Sequence, residues 1–327
     1  MENLSNNSFD SNVVVNQVSD IISLYAIPII SGIGLIANTS FLIILSNKSL
    51  KHRIYQDFWI KTFFDLIVCF IGIAHFNNNC LVCMNTGDTQ YWILTYNFMI
   101  RALPQNSAFL ASTYSEVYLI LNRCINLFNP RNKTLHFKKL NFILILSFLS
   151  ICLMIPFYYF IEIRKGEDGY ELFERDFSNR NIFIIYMTVY IFIYYLLPIT
   201  LLVVLNLISI IKFRKVVNSS TALNNNSNLN RKEKERRFAR TVCFLSCLFI
   251  LIKTLNLVTV ISLRLSEIRL INLKFSELES SILNLSVKCS LLFNFSFHIF
   301  NCFFYIHMDS NLKGIILQNR HFTLNLN

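Results

Sequence analysis

Seven long runs of apolar residues, each almost free of charge, alternate along the chain with shorter polar segments. The runs occupy residues 21–46, 55–76, 94–128, 140–161, 182–211, 238–263 and 281–306. A run of about 20 apolar residues wound as an α-helix matches the thickness of the hydrocarbon core of a bilayer. No run alternates polar and apolar residues as the strands of a membrane β-barrel do. The pattern predicts an all-α membrane protein, a seven-transmembrane helix bundle formed by residues 21–306.

The composition supports a membrane protein. The chain is 54% hydrophobic and 15% charged, whereas a soluble domain carries about a quarter of its residues as charged side chains. Residues 1–20 are polar and contain no Lys or Arg. We therefore expect no cleavable signal peptide, and a first helix that acts as its own insertion signal.

Basic residues predict the orientation of the bundle. Eighteen Lys and Arg residues fall in one alternate set of connections together with the C-terminal tail, and seven fall in the other set together with the N-terminal tail. Short basic loops stay in the cytoplasm. We therefore expect an extracellular N-terminal tail at 1–20 and a cytoplasmic tail at 307–327, in a multi-pass protein of the plasma membrane. Glycosylation would then fall on the Asn-x-Ser triplets at Asn3 and Asn6.

The net charge of +11 is mainly this orientation signal, with attraction to anionic membrane lipids as a second effect. The basic run at 231–237 is interrupted by Glu233 and Glu235 and leads directly into the sixth apolar run. We therefore expect no nucleic acid among the partners.

Three ionisable residues lie within the second apolar run. Asp57, Lys61 and Asp65 have the spacing i, i+4 and i+8, which places them on one face of a helix. Each such residue at the bilayer centre costs about 2.5–3.5 kcal/mol and needs a partner, water or an interfacial depth. One interpretation is that Lys61 pairs with both acids. We favour this interpretation for Asp57 and Lys61, and a functional role for the deeper Asp65.

Further charges lie in the third, sixth and seventh runs. Arg101 falls near the outer end of the third helix, and Glu116 and Arg123 lie toward its cytoplasmic end. Together with Lys253 and Lys288, Arg101 would line an outward vestibule suited to a ligand with an acidic or carbonyl-rich part. The alternative is that each long cation reaches the membrane surface separately.

Histidines give no sign of a metal centre. The six histidines are scattered, and no cluster of Cys and His has metal-ligand spacing. His75 and His298 fall within spans, where we expect packing and not metal binding. His75 lies toward the outside and joins the ligand-pocket candidates.

The third helix ends in a motif that resembles the Asp-Arg-Tyr motif of rhodopsin-like (class A) G-protein-coupled receptors. Here the motif reads Asn122, Arg123 and Cys124, with Pro130 seven positions after the arginine. The resemblance implies that Arg123 closes the inactive cytoplasmic face and later meets the G protein. Asn122 cannot ionise, so the usual ion pair within the motif is absent and high basal activity is expected.

Two other polar sets are similar to those of the same receptors. Asn38, Asp65 and Ser112, together with Asn301, stand where the resemblance implies a core polar network with a bound sodium ion. Asn301 and Tyr305, in "NCFFY", resemble the Asn-Pro-x-x-Tyr motif of the seventh helix, with cysteine in place of proline. "MDSNLKGIIL" then resembles the short amphipathic surface helix that follows that motif.

The nearest resemblance is to divergent FMRFamide-type neuropeptide receptors of invertebrates, through "IPFYYFIE" at the end of the fourth helix and through Pro198 and Asn206 in the fifth. The sixth helix departs from the family, with Ile250 where proline is usual. Phe98 replaces the cysteine that bridges to the second outer loop, which contains no Cys, so the family disulfide cannot form. The sequence leaves undecided whether Cys289 forms a disulfide with Cys80 or Cys83.

The sequence therefore predicts a receptor that binds an extracellular ligand, by resemblance a short amidated peptide, and activates a heterotrimeric G protein. A nematode-type chemosensory receptor for small molecules is the first alternative. An ion-conducting transporter is the second, although the odd helix count and the lack of internal repeats argue against it. No combination of nucleophile, base and metal ligands falls on one side of the membrane. We assign no catalytic residues and, apart from sodium near Asp65, no cofactor.

Overall fold

Seven helices and one short hairpin account for most of the residues that the structure describes. The structure is a computed structural model that describes residues 11–47, 50, 53–73, 91, 95, 103–128, 139–159, 161–166, 169–174, 180–220, 244, 247–259, 261–262 and 277–308. The uninterrupted helices are α2 (Arg53–Ile73), α3 (Leu103–Phe128), α4 (Lys139–Tyr159), α6 (Cys247–Thr259) and α7 (Glu277–Met308). Each helix coincides with one predicted apolar run, which confirms the all-α seven-helix bundle.

Two helices each contain one π-helical turn. Helix α1 comprises Ser11–Ile21, the π turn Ile22–Ala26 and Ile27–Leu45. Helix α5 comprises Arg180–Ile191, the π turn Phe192–Leu196 and Leu197–Ser220. Helix α1 begins within the predicted tail at 1–20, ten residues before the first apolar run, and this extension packs against α7.

A proline follows both π turns at the same spacing. Pro28 and Pro198 each stand two residues after the turn ends. Proline has no backbone N–H, and its ring clashes with the carbonyl four residues earlier. In a π turn the hydrogen bonds run five residues back instead of four, so the backbone detours around that clash. The prolines thus account for both interruptions.

A two-stranded hairpin lies between α4 and α5, in the connection that corresponds to the second outer loop. Strands β1 (Ile161–Gly166) and β2 (Gly169–Glu174) pair antiparallel, with Ile161 opposite Glu174 and Gly166 opposite Gly169. This hairpin is the one β-structure among the described residues.

Helix α1 shows the reversed polarity of a membrane bundle. Its exposed positions include Ile29, Ile33, Ile36 and Ile43, all on one stripe. The opposite stripe is buried and includes polar side chains, with the members Ile27, Ser31, Gly34, Asn38, Phe41 and Leu45. Apolar residues outside and polar residues inside suit a bundle whose surroundings are lipid.

Helices α2 and α3 lie at the centre of the bundle. Helix α2 contacts α1, α3, α4 and α7, and helix α3 also contacts α4 and α5. Three helices, at Val13–Leu45, Thr188–Lys212 and Leu278–Phe303, are long and apolar enough to cross a membrane by length and composition. The central helices α2 and α3 carry more polar side chains, which they direct into the bundle, as described next.

Candidate functional site

Four buried polar side chains meet between α2, α3 and α7 and form the central polar cluster: Lys61, Asp65, Ser112 and His298. All four are at most 1% exposed. Lys61 Nζ lies 2.5 Å from Asp65 Oδ1 and 2.7 Å from Asp65 Oδ2. Such short charge-assisted contacts to both oxygens of one carboxylate are among the strongest hydrogen bonds in proteins. The pair brings no net charge into the apolar bundle.

Ser112 and His298 complete the cluster from the neighbouring helices. Ser112 Oγ donates to Asp65 Oδ1 at 2.6 Å and accepts from Lys61 Nζ at 3.0 Å. Nδ1 of His298 lies 2.7 Å from Asp65 Oδ1, where a protonated ring nitrogen donates to the carboxylate. Asp65 thereby links α2, α3 and α7 through one side chain.

The structure joins only part of the predicted sodium network. Ser112 Oγ and Asp65 Oδ1 are hydrogen bonded to each other. Asn38 Nδ2 instead donates to the carbonyl oxygen of His298 at 3.3 Å and to Cys69 Sγ at 3.6 Å. The polar atoms of the Asn301 side chain are buried without a hydrogen bond to the described residues. Asn38 therefore ties α1 to α7, and Asn301 lies outside the cluster.

Two contacts of Asp65 bear on the expectations for the second and seventh helices. Lys61 pairs with Asp65, one of the two acids considered as its partners. His298, for which packing was expected in preference to metal binding, also bonds to Asp65. The i, i+4 spacing of Lys61 and Asp65 was a signal for the first pairing, because it equals the spacing of Asp57 and Lys61. No local pattern marks His298, since its partner is 233 positions away in sequence.

At the other end of α2, Asp57 contacts the motif that resembles Asp-Arg-Tyr. Asn122 Nδ2 donates to Asp57 Oδ2 at 3.2 Å, and both side chains are buried. Cys124 Sγ lies 2.9 Å from Ser209 Oγ and donates to the carbonyl oxygen of Leu205 at 3.2 Å. These contacts connect the end of α3 to α2 and α5.

Tyr305, which belongs to the motif identified in the seventh helix, packs against two aromatic rings. Its ring centroid lies 4.2 Å from that of Phe58 and 6.3 Å from that of Phe41. Arg123 lies on α3 as predicted, but its side chain is outside the described part of the structure, as is Pro130.

Lys253 is buried in a cage of aromatic rings contributed by three helices. Lys253 is 2% exposed. Its Nζ lies 5.6 Å from the ring centroid of Phe109 on α3, 5.6 Å from that of Tyr194 on α5 and 5.3 Å from that of Phe249 on α6. Ring faces attract a cation at these distances. No described carboxylate lies within ion-pair distance of Lys253.

The aromatic cage and the central polar cluster share a neighbour. The ring of Phe109 lies 5.5 Å from the imidazole of His298 and 5.3 Å from the ring of Phe295. A displacement of Phe109 would therefore act on both Lys253 and His298.

The remaining ligand-pocket candidates do not join Lys253 in the described structure. Lys288 Nζ lies 3.5 Å from Asp20 Oδ1, in a half-exposed ion pair between α7 and the start of α1. His75 and Arg101 are outside the described residues, as are Asn3, Asn6 and residues 309–317 of the segment predicted as a surface helix. Cys289 is a free thiol in the structure.

A narrow apolar cavity lies beside the cage, between α3, α4 and α5. Its volume is about 20 Å³, enough for roughly one water molecule. Its lining residues are Leu110, Leu153, Tyr186, Val189, Tyr190, Ile193 and Tyr194. A ligand of ordinary size needs some hundreds of Å³, so binding there would require the helices to part.

Comparison with known protein families adds a match that covers most of the bundle. The model described as "Serpentine type 7TM GPCR chemoreceptor Srx" matches residues 29–276, about three quarters of the chain. No curated protein matches the chain. The family match supports a G-protein-coupled serpentine receptor and favours the chemosensory alternative over the neuropeptide receptor.

Proposed function

The chain belongs to the Srx family of serpentine seven-transmembrane chemoreceptors, and on this premise we propose that it detects a small extracellular molecule and activates a heterotrimeric G protein. The family match across residues 29–276 is the observation that carries this proposal. Proteins of this family are multi-pass membrane receptors and generally not enzymes. The orientation proposed from the basic loops, with the N-terminus outside, directs the ligand-binding end of the bundle outward.

We place the ligand anchor at Lys253. A charge buried away from water is costly unless it is paired, and the rings of Phe109, Tyr194 and Phe249 offset only part of that cost. A carboxylate or carbonyl oxygen on a ligand would give the ammonium group a charge partner or a hydrogen-bond acceptor. The same rings would pack against an apolar body. The cage therefore suits a small molecule with one acidic or carbonyl group on an apolar skeleton.

Binding at this cage would couple to the rest of the bundle through the helices that form it. A ligand can shift a conformational equilibrium only through greater affinity for one state. A ligand held by Lys253 would touch α3, α5 and α6 at once, and would therefore favour one relative position of these helices. Phe109 would pass that change to His298 and the central polar cluster.

We propose the G-protein face at the opposite end of the same helices. Arg123 would contact the G protein there, flanked by Asn122, Cys124 and Pro130, with Asn301 and Tyr305 on α7 supporting the change. The bond between Asn122 and Asp57 would hold the inactive arrangement in place of the ion pair that the motif lacks.

A ligand screen with a matched pair of variants tests this function. Cells expressing the receptor are exposed to short carboxylic acids, their methyl esters and alcohols, aldehydes, ketones and amidated peptides, with cyclic nucleotide and calcium as readouts. We expect responses to acids or carbonyl compounds. Lys253→Met, which keeps the length of the stem, should lower potency at least about tenfold, or about 1.4 kcal/mol of binding free energy. Lys288→Met should leave potency unchanged.

Other outcomes of the screen would refute parts of the proposal. Responses to amidated peptides alone would favour a neuropeptide receptor over a chemosensory receptor. Equal potencies for wild type and Lys253→Met, at equal surface expression, would show that Lys253 does not anchor the ligand. Ligand-independent ion flux without any second messenger would favour the transporter.

A further inference from the structure

The ammonium group of Lys61 is fully hydrogen bonded inside the bundle. A lysine side chain has three N–H donors. Lys61 Nζ has three acceptors in reach, with Asp65 Oδ1 at 2.5 Å, Asp65 Oδ2 at 2.7 Å and Ser112 Oγ at 3.0 Å. Lys61 is 0% exposed. The three oxygens thus form a built cation site, and a side chain of this protein occupies it.

The same oxygens are the ones that the sequence resemblance assigned to a bound sodium ion. A sodium ion at Asp65 and Ser112 would have to share those oxygens with an ammonium group at contact distance, and two like charges that close repel strongly in a medium of low dielectric constant. The other two predicted ligands do not offset this repulsion, because Asn38 and Asn301 carry neutral amide groups that add no negative charge to the site. Asn38 Nδ2 donates to His298 O, and the polar atoms of Asn301 make no hydrogen bond to the described residues. The residues present therefore do not fit sodium while Lys61 is in place.

A tethered cation differs from a dissolved ion in one physical respect. Its local concentration is fixed by the covalent chain and not by the surrounding solution. Lys61 lies one helical turn before Asp65 on α2, so the ammonium group returns to the carboxylate whatever the salt outside. The charge balance of the bundle core is then independent of sodium.

We propose that Lys61 is a built-in substitute for the core sodium ion, so that the receptor is insensitive to sodium and becomes sodium-responsive only when Lys61 is removed. The site exposed by that removal would take a small monovalent cation, bound by both oxygens of Asp65 and by Ser112 Oγ. This inference rests on the described contacts and does not depend on which ligand the receptor detects.

Thermal unfolding of the purified receptor in lipid nanodiscs tests the proposal without ligand or G protein. Sodium chloride is titrated from 0 to about 150 mM against choline chloride, at constant ionic strength. The wild type should unfold at the same temperature throughout. Lys61→Met should gain a saturating rise of about 2–4 °C with sodium. The double variant Lys61→Met/Asp65→Asn should show no rise, because the carboxylate that binds the ion is gone.

Each result supports or contradicts the proposal that Lys61 takes the place of a sodium ion. A saturating sodium response in the wild type would overturn the proposal, as would a folded Lys61→Met that ignores sodium. If Lys61→Met fails to fold and the double variant folds, the result would support the view that the Asp65 carboxylate needs a cation beside it. If neither variant folds, the wild-type titration alone decides. A failed ligand screen would leave all of these outcomes unaffected, since none of them uses a ligand.

Discussion

The absence of a Cβ atom at two glycines allows α1, α2 and α7 to approach one another closely. A Cβ atom added to Gly34 would lie 2.6 Å from Cys69 Sγ and 2.6 Å from Ile299 Cγ1. At Gly72 an added Cβ would meet Ser31 and the ring of Phe295. Contact this close lets α1 bring Asn38 within reach of α7. The two glycines therefore help to place the helices around the central polar cluster.

Gly34→Ala should destabilise the bundle by about 1–3 kcal/mol, the usual cost of forcing extra atoms into a well-packed core. Gly32→Ala is the matched control, because nothing lies within 4 Å of its added Cβ. Thermal unfolding of both purified variants measures the difference. Equal unfolding temperatures for the two variants would show that the close approach at Gly34 does not contribute to stability.

The site was partly predictable at the residue scale. Asp65 and Ser112 could be assigned because charge and hydroxyl groups are conspicuous in apolar helices, and their contact is observed. The spacing along α2 could not separate Asp65 from Asp57 as a partner of Lys61, because both carboxylates lie four residues from it. The spacing also gave no sign of Ser112 and His298, which other helices bring to Asp65, or of Asn122, which donates to Asp57.

Among the helices, α5 shows how a proline and a distant tyrosine together shape the aromatic cage. Within the π turn, Leu197 N–H donates to Phe192 O, five residues back. The next bond in that pattern would run from Pro198 to Ile193 O, but proline has no N–H. Tyr114 Oη, on α3, donates to Ile193 O instead, at 2.7 Å. The turn that presents Tyr194 to Lys253 is thus held by α3.

Tyr114→Phe should lower stability by about 1 kcal/mol, because it removes the hydroxyl group that satisfies Ile193 O. It should also weaken the response to ligands, since Tyr194 would lose its support. Tyr118→Phe on the same helix is the control, because its described contact is a ring stacked at 4.2 Å on Phe142 and not a hydroxyl bond. Unfolding temperature and ligand dose curves measure both effects. If Tyr114→Phe behaves like Tyr118→Phe, the bond does not support the turn.

Helix positions could be predicted from the sequence because each apolar run is long. Twenty or more apolar residues in a row indicate a membrane helix without help from distant contacts, and all seven runs contain one. The ends were less predictable, because α1 gains ten residues through packing against α7. The hairpin at Ile161–Glu174 was not predicted, because two six-residue strands give a weak pattern in a segment that also fits a loop.

At the scale of the whole molecule, the polar interior and the apolar exterior are the basis of the proposed signalling. The aromatic cage around Lys253, the central polar cluster and the contact of Asn122 with Asp57 follow one another along α3, which contributes Phe109, Ser112 and Asn122 to them. A ligand outside and a G protein inside would be linked by the relative positions of these helices, with Arg123 at the inner end.

Nucleotide exchange on purified G proteins tests that claim most directly. The receptor is placed in lipid nanodiscs with a panel of Gα subunits, with and without the most potent acid or carbonyl compound from the screen. We predict that the compound accelerates exchange on at least one Gα, and that Arg123→Ala abolishes the acceleration while binding of the compound is retained. A compound that binds but accelerates exchange on no Gα, or equal exchange with Arg123→Ala, would contradict the proposed receptor function.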